Sequence, residues 1–110
     1  MSLFDDLAVK TEEDYAISEL INRKRRLLTI HSIIYYEYDD NIWPDSKYDA
    51  VGKELAELQK QHGTKHGYKD ELFESWDGQS MTGFHLAKAA THEERMKALW
   101  LLRERMVYPS

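Results

Sequence analysis

Hydrophobic residues recur at intervals of three and four from about residue 12 to residue 38. This spacing is typical of the buried face of an α-helix, which has 3.6 residues per turn. The pattern therefore predicts a long amphipathic helix. Its apolar stripe comprises Ile17, Leu20, Ile21, Leu27, Leu28, His31, Ile34, Tyr35 and Tyr38.

A second helical pattern begins at Asp45 and continues to about Gln61. Pro44 cannot extend a helix backwards, and aspartate is a favoured N-cap, so Asp45 is predicted to cap this helix. The break between the two patterns is short, which predicts an antiparallel helical hairpin over residues 12–61. One face of the second helix carries Tyr48, Val51, Leu55 and Leu58.

Shorter helical patterns follow the glycine-flanked loop that ends at Gly67. Helices are predicted over Tyr68–Trp76 and Phe84–Ala90, since both segments place apolar or alanine residues at helical spacing. Thr91 and Glu94 form a capping-box pattern that opens a last helix, which runs to about Val107.

The whole chain is expected to form one all-α domain. A length of 110 residues leaves room for a single core, and no segment alternates with the period of two that a strand requires. The predicted fold is a small helical domain built on the hairpin, with additional C-terminal helices over residues 68–107. Residues 1–10 are expected to be flexible.

Composition excludes several classes of protein. The chain has no cysteine, which rules out disulfides and thiolate metal sites. Neither a signal peptide nor an apolar run of about 20 residues is present, so a cytoplasmic location without a membrane span is expected. The net charge of −5 is unfavourable for phosphate-backbone binding, and direct nucleic-acid binding is not expected. The run Arg23–Arg26 is predicted to face solvent, with contact to an anion or an acidic partner as the alternative.

Residues whose side chains could bind a ligand are concentrated where the first predicted helix meets the second. Tyrosines, aspartates and Trp43 crowd the segment 35–49. Aromatic faces can stack on a ring, and carboxylates accept hydrogen bonds from hydroxyl or amide donors, so the segment suits a polar heterocycle that carries a ribose. The alternative is that the aromatic rings only stabilise the helical hairpin by packing.

The order of these residues is similar to that of domain Ia, the N-terminal domain of bacterial NAD-dependent DNA ligases. Tyr35-Tyr36 is followed by a loop that contains Asp39 and ends in Pro44, and then by Asp-x-x-Tyr-Asp and a helix with Glu-Leu-x-x-Leu. The similarity covers about residues 30–60. Asn41 departs from it, because the family has a proline there.

This resemblance implies a pocket for the nicotinamide mononucleotide half of NAD. A tyrosine face can stack on the cationic pyridinium ring, and nearby carboxylates favour its charge. Asp45, Tyr48 and Asp49 are spaced i, i+3 and i+4, which places them on one surface of the second helix. NAD or NMN is thus the expected ligand, and the binding residues implied are Tyr35, Tyr36, Asp45, Tyr48 and Asp49.

No catalytic residue is predicted. The ligases transfer AMP to a lysine in a Lys-x-Asp-Gly motif, and the nearest match here, Lys47-Tyr48-Asp49-Ala50, lacks the glycine and lies inside a predicted helix. His62 and His66 are predicted to lie in a surface loop rather than to bind a metal. The chain is therefore interpreted as a non-catalytic module, either a stand-alone nucleotide-binding protein or a ligase accessory protein.

Two other interpretations remain open. A scaffold or interaction protein of phage or prophage origin could use the hairpin only as architecture, with Trp43, Trp76 and Trp100 in a core or in an interface with a partner protein or a second copy. The weaker third interpretation is a nucleic-acid-binding accessory protein that uses Arg23–Arg26.

Overall fold

The computed structural model describes residues 11–78 and 83–107, and the segment 1–10 that was predicted to be flexible lies outside them. The described residues form helices and loops without a strand, which confirms the all-α fold class. None of the helices in this part of the chain has the length and apolar character needed to cross a membrane. The helices are α1 (Glu12–Glu37), α2 (Asp45–His62), α3 (Asp70–Phe73), α4 (Phe84–Lys88) and α5 (His92–Val107).

Helix α1 is the central element, and α2, α4 and α5 all pack against it. It begins with a capping box: Asp14 N–H donates to Thr11 Oγ1 at 3.2 Å, and Thr11 N–H donates to Asp14 Oδ2 at 3.1 Å. These two bonds satisfy backbone donors that a helix leaves unpaired at its N-terminus. Helix α5 begins in the same way at Thr91 and Glu94, as the sequence predicts.

Two hydrophobic clusters lie on different faces of α1. The first joins α1 to α2 and to the segment around α3 and α4, and the second joins α1 to α5. Both predicted stripes supply these clusters, although Leu20 and Tyr35 are exposed instead of buried. The first cluster contains Ile21, Leu28, Leu55, Phe73, Trp76 and Leu86, and the second contains Ile30, Ile33, Ile34 and Ala98.

The prediction that Asp45 caps α2 is wrong. Pro44 is the N-cap, with extended backbone (φ −65°, ψ 155°), and its carbonyl accepts hydrogen bonds from the N–H groups of Lys47 and Tyr48. Asp45 is the first helical residue, and no side chain caps this end. Since the carboxylate of Asp45 makes no capping bond, it projects from the first turn of α2.

The prediction that Arg23–Arg26 mostly faces solvent is wrong for Arg25, whose side chain is fully buried. The guanidinium donates to Gln59 Oε1, to the carbonyls of Thr64 and Tyr68, and to Asp70 Oδ1 at 2.6–3.0 Å. These hydrogen bonds offset the cost of burying the charged guanidinium, because its N–H donors point in fixed directions at which protein acceptors lie.

The loop that follows α2 is tied to α1 by a second set of bonds. His66 lies in this loop, as predicted, and is half-buried: its Nδ1 lies 2.8 Å from Ser18 Oγ, and its carbonyl accepts from Asn22 Nδ2 at 2.7 Å. His62 is the exposed last residue of α2. The loop is therefore held by side-chain bonds, which compensate for its lack of regular structure.

Candidate functional site

A cleft of about 270 Å³ opens at the corner where α1 ends and α2 begins. The last turns of α1 form one wall, the first turn of α2 forms the other, and the connecting loop crosses between them. The lining residues are His31, Ser32, Tyr35, Tyr36, Asn41, Ile42, Trp43, Asp45, Tyr48 and Asp49.

All five binding residues that the sequence suggests line this cleft. Tyr35 and Tyr36 come from α1, where their rings are 53% and 37% exposed. Asp45, Tyr48 and Asp49 come from one face of α2, and both carboxylates are exposed. The cleft thus presents aromatic surface from one helix and negative charge from the other.

A pair of hydroxyl groups lies at the buried end of the cleft. Tyr48 Oη is 2.8 Å from Ser32 Oγ, and Ser32 Oγ donates to the carbonyl of Leu28 at 2.7 Å. Either hydroxyl group can be the donor in the bond between Tyr48 and Ser32. Burial raises the pKa of Tyr48; the bond to Ser32 opposes that effect, and Tyr36 and Asp49 add to it. The phenol therefore stays neutral at physiological pH.

Trp43 covers the inner wall of the cleft. Its ring stacks on the His31 ring, with centroids 3.8 Å apart and planes inclined by 16°, and Lys47 Nζ lies 5.1 Å from the indole centroid. Burial, and secondarily the charge of Lys47, lower the pKa of His31 to about 4. His31 is consequently a neutral, buried ring that supports Trp43 and does not add positive charge to the cleft.

An aromatic ladder runs along the mouth of the cleft. Tyr35 and Tyr36 meet edge to face with centroids 4.8 Å apart, and Tyr36 meets Phe84 in the same way at 5.4 Å. Edge-to-face pairs place the positive ring edge against the negative ring face, which fixes the ring orientations. Phe84 belongs to α4 and is not among the residues that line the cleft, so the aromatic ladder continues from the cleft onto a residue almost 50 positions away in the sequence.

Sequence reasoning placed His31 on the apolar stripe and Trp43 in the aromatic segment 35–49 without naming either as a binding residue, and it missed Ser32. Ser32 lies one turn before Tyr36, so the helical spacing of four could have identified it as a lining residue. No local pattern pointed to the α4 residues, because their position depends on tertiary packing.

Comparison with known families now gives this cleft a context. Residues 14–66 match the family model of the DNA ligase-like, N-terminal NAD+-binding domain. This match confirms the resemblance to domain Ia. It extends beyond residues 30–60 in both directions, so that it includes nearly all of α1, the connecting loop, the whole of α2 and part of the loop that follows.

The domain Ia-like segment contains every residue that lines the cleft. Residues 67–110, with α3, α4 and α5, lie outside the match. No curated protein and no solved structure matches the chain. The NAD+-binding domain of ligases is therefore the relationship on which a functional proposal can rest.

Proposed function

We propose that the cleft of this domain Ia-like protein binds the nicotinamide half of NAD, or NMN itself. The observation that supports this proposal most directly is a coincidence of two independent features. The segment that matches an NAD+-binding family also forms an open cleft, and Tyr35, Tyr36, Asp45, Tyr48 and Asp49 all line it.

The chemistry of the lining residues fits a nicotinamide mononucleotide. The oxidised ring is a cation, and an exposed tyrosine face attracts a cation placed above it. Asp45 and Asp49 supply negative charge and hydrogen-bond acceptors for the ring carboxamide or the ribose hydroxyls. Ligand pockets usually have volumes of about 300–1,000 Å³. A cleft of about 270 Å³ lies just below that range, which suits one ring with its sugar better than a whole dinucleotide.

We further propose that the protein is a single helical domain that acts as a non-catalytic module. Lys47, the lysine in the nearest match to a nucleotidyl-transfer motif, lies in the first turn of α2 with its ammonium group over the Trp43 ring. The glycine of that motif is replaced by Ala50, which also lies inside the helix, so we assign Lys47 no catalytic role. The module would then hold a nicotinamide nucleotide by itself, or serve a partner chain that carries out the chemistry.

Titration with NMN tests the proposal. The tyrosine ring resonances of Tyr35 and Tyr48 should shift, the melting temperature should rise, and Asp49→Asn should weaken binding about threefold, as expected for an exposed charge contact. Reduced NMN, whose ring is neutral, should bind more weakly than the oxidised form if ring charge contributes.

Matched controls keep this test specific. Tyr15→Ala removes an exposed tyrosine at the other end of α1, and Glu57→Gln removes an exposed carboxylate near the end of α2. Neither change should alter the affinity for NMN. If millimolar NMN and NAD shift neither the tyrosine resonances nor the melting temperature, the proposal is wrong.

An interaction role is the second candidate, and exposed residues of α5 favour it. Met96 and Trp100 lie one turn apart and expose 45% and 48% of their surfaces. Paired apolar residues at such spacing suit contact with another protein. Light scattering across a concentration series tests self-association, which Trp100→Gln should weaken. If the protein stays monomeric at all concentrations, self-association through α5 is excluded.

A further inference from the structure

We infer that Gly83 and Phe84, which lie outside the segment that matches the family, form part of the ligand site. Gly83 positions Tyr48 at the buried end of the cleft, and Phe84 extends the aromatic wall through Tyr36. This inference rests on the proposed function, since it assigns residues to the same ligand.

The Gly83 backbone lies against the hydroxyl pair of the cleft. A Cβ atom at this position would overlap Tyr48 Oη and Ser32 Oγ, and would also come within 3.3 Å of Ser32 Cβ. Gly83 has φ +78°, a left-handed conformation that favours glycine. Both the space and the backbone therefore favour glycine, and the Gly83 backbone limits the space available to Tyr48 Oη.

The position of the Tyr48 hydroxyl group matters for the ligand. Tyr48 Oη shares a hydrogen bond with Ser32 Oγ in which either atom can be the donor, and its oxygen can also accept a hydrogen bond from a group that enters the cleft. A ring carboxamide has N–H donors that suit such an oxygen. If Tyr48 moves away from Ser32, the position of this acceptor is lost.

Phe84 contacts the cleft from outside, through Tyr36. Its ring is 55% exposed and meets Tyr36 edge to face. The same kind of contact joins Tyr36 to Tyr35, so Phe84 restrains the outer tyrosines through one shared ring. Aromatic side chains whose orientation is already restrained before binding lose less conformational entropy when a ligand stacks on them.

Gly83→Ala is the decisive variant, and Gly63→Ala is its control. Gly63 also has a positive φ, +82°, but its ψ is −176° where that of Gly83 is −2°, and a Cβ there would meet nothing within 4 Å. Both variants place alanine at a positive φ, with at least as much backbone strain at Gly63, and only Gly83→Ala adds the collision with Tyr48. We expect Gly83→Ala to weaken NMN binding about tenfold and to shift the Tyr48 ring resonances without ligand, whereas Gly63→Ala does neither.

A double variant tests whether Gly83 acts through the tyrosine hydroxyl. Tyr48→Phe removes one of the two oxygens that the new methyl group would strike and leaves Ser32 Oγ, so adding Gly83→Ala to Tyr48→Phe should cost less affinity than adding it to the wild type. Phe84→Ala should weaken NMN binding about threefold through the loss of one aromatic pair, with the melting temperature close to that of the wild type.

The outcomes separate this inference from the proposed function. If the wild type binds NMN and both Gly83→Ala and Phe84→Ala bind it equally well, the inference is wrong and the proposed function stands. If the wild type does not bind NMN, both fail. An unchanged Tyr48 resonance in ligand-free Gly83→Ala would also overturn the positioning role, whatever the ligand.

Discussion

Replacing the buried arginine of α1 should be among the most damaging single changes in the protein. Arg25→Met keeps an unbranched chain of similar reach but removes the guanidinium. Three acceptors then lose their donor, namely Gln59 Oε1 and the carbonyls of Thr64 and Tyr68. The fourth, Asp70, keeps the backbone N–H groups of His66 and Gly67.

The expected cost follows from this inventory. An unsatisfied buried acceptor costs about 1–3 kcal/mol, and half-exposed carbonyls recover part of that by bonding to water. Removal of one partner from a buried charged network costs about 3–5 kcal/mol. A domain of this size has a total unfolding free energy of about 5–15 kcal/mol. Arg25→Met should therefore lower the free energy of unfolding by about 3–4 kcal/mol.

Urea unfolding followed by circular dichroism measures this loss, and two other variants refine the interpretation. Arg25→Lys keeps the charge but cannot reach several acceptors with one ammonium group, so it should be intermediate in stability. Arg23→Met alters an exposed arginine two positions away and should change stability by less than about 0.5 kcal/mol. If Arg25→Met is as stable as Arg23→Met, the buried network does not stabilise the fold.

The carboxyl group of Asp70 reports on the same network. Burial alone would raise its pKa, but hydrogen bonds from His66 N–H, Arg25 and Gly67 N–H, together with the charge of Arg25, outweigh burial and lower it. Loss of the guanidinium should therefore raise the pKa of Asp70 toward its ordinary value. NMR titration of the Asp70 carboxyl group in the folded wild type, Arg25→Lys and Arg25→Met proteins measures this change.

Three further predictions concern stability. Because burial, and secondarily Lys47, lower the pKa of His31 to about 4, the unfolded chain takes up a proton between about pH 6.5 and pH 4 that the folded chain does not. As the pH falls from about 6.5 to 4, the free energy of unfolding should thus decrease by about 2 kcal/mol, after allowance for solvent screening. His31→Gln should remove this part of the pH dependence. Trp76→Phe removes the bond from Nε1 to the Gly52 carbonyl (2.9 Å) and should cost about 1–2 kcal/mol in urea unfolding. Thr91→Ala breaks the capping box of α5 and should cost about 1 kcal/mol, measured as a lower melting temperature.

Each of these predictions has a result that would contradict it. A pH slope that survives in His31→Gln would assign the acid sensitivity to carboxylates instead. Trp76→Phe at wild-type stability would mean that the indole bond adds nothing to the packing of the first cluster. For the α5 cap, Thr91→Ser retains the hydroxyl group and should behave as the wild type; an equal loss in Thr91→Ser and Thr91→Ala would exclude the capping bond as the cause.

Local rules of sequence decided the helices and the approximate position of the cleft. The spacing of apolar residues in α1 and α2 follows from the helical period, and the capping box at Thr91 follows from the needs of unpaired N–H groups. The i, i+3, i+4 arrangement of Asp45, Tyr48 and Asp49 gathers their side chains on one surface of any helix that contains them. The resemblance to the ligase domain added an expected ligand, which spacing alone could not supply.

Only the tertiary structure decided which polar groups are buried and which distant segments meet. Arg25 looks like its exposed neighbours in the sequence, but the helical rotation points it at acceptors contributed by α2 and the following loop. Gly83 and Phe84 meet residues of the cleft because α4 packs on α1, and no periodic pattern encodes that contact. The physical reason is that helical periodicity depends on neighbours within one turn, whereas burial and site closure depend on residues that folding brings together from far along the chain.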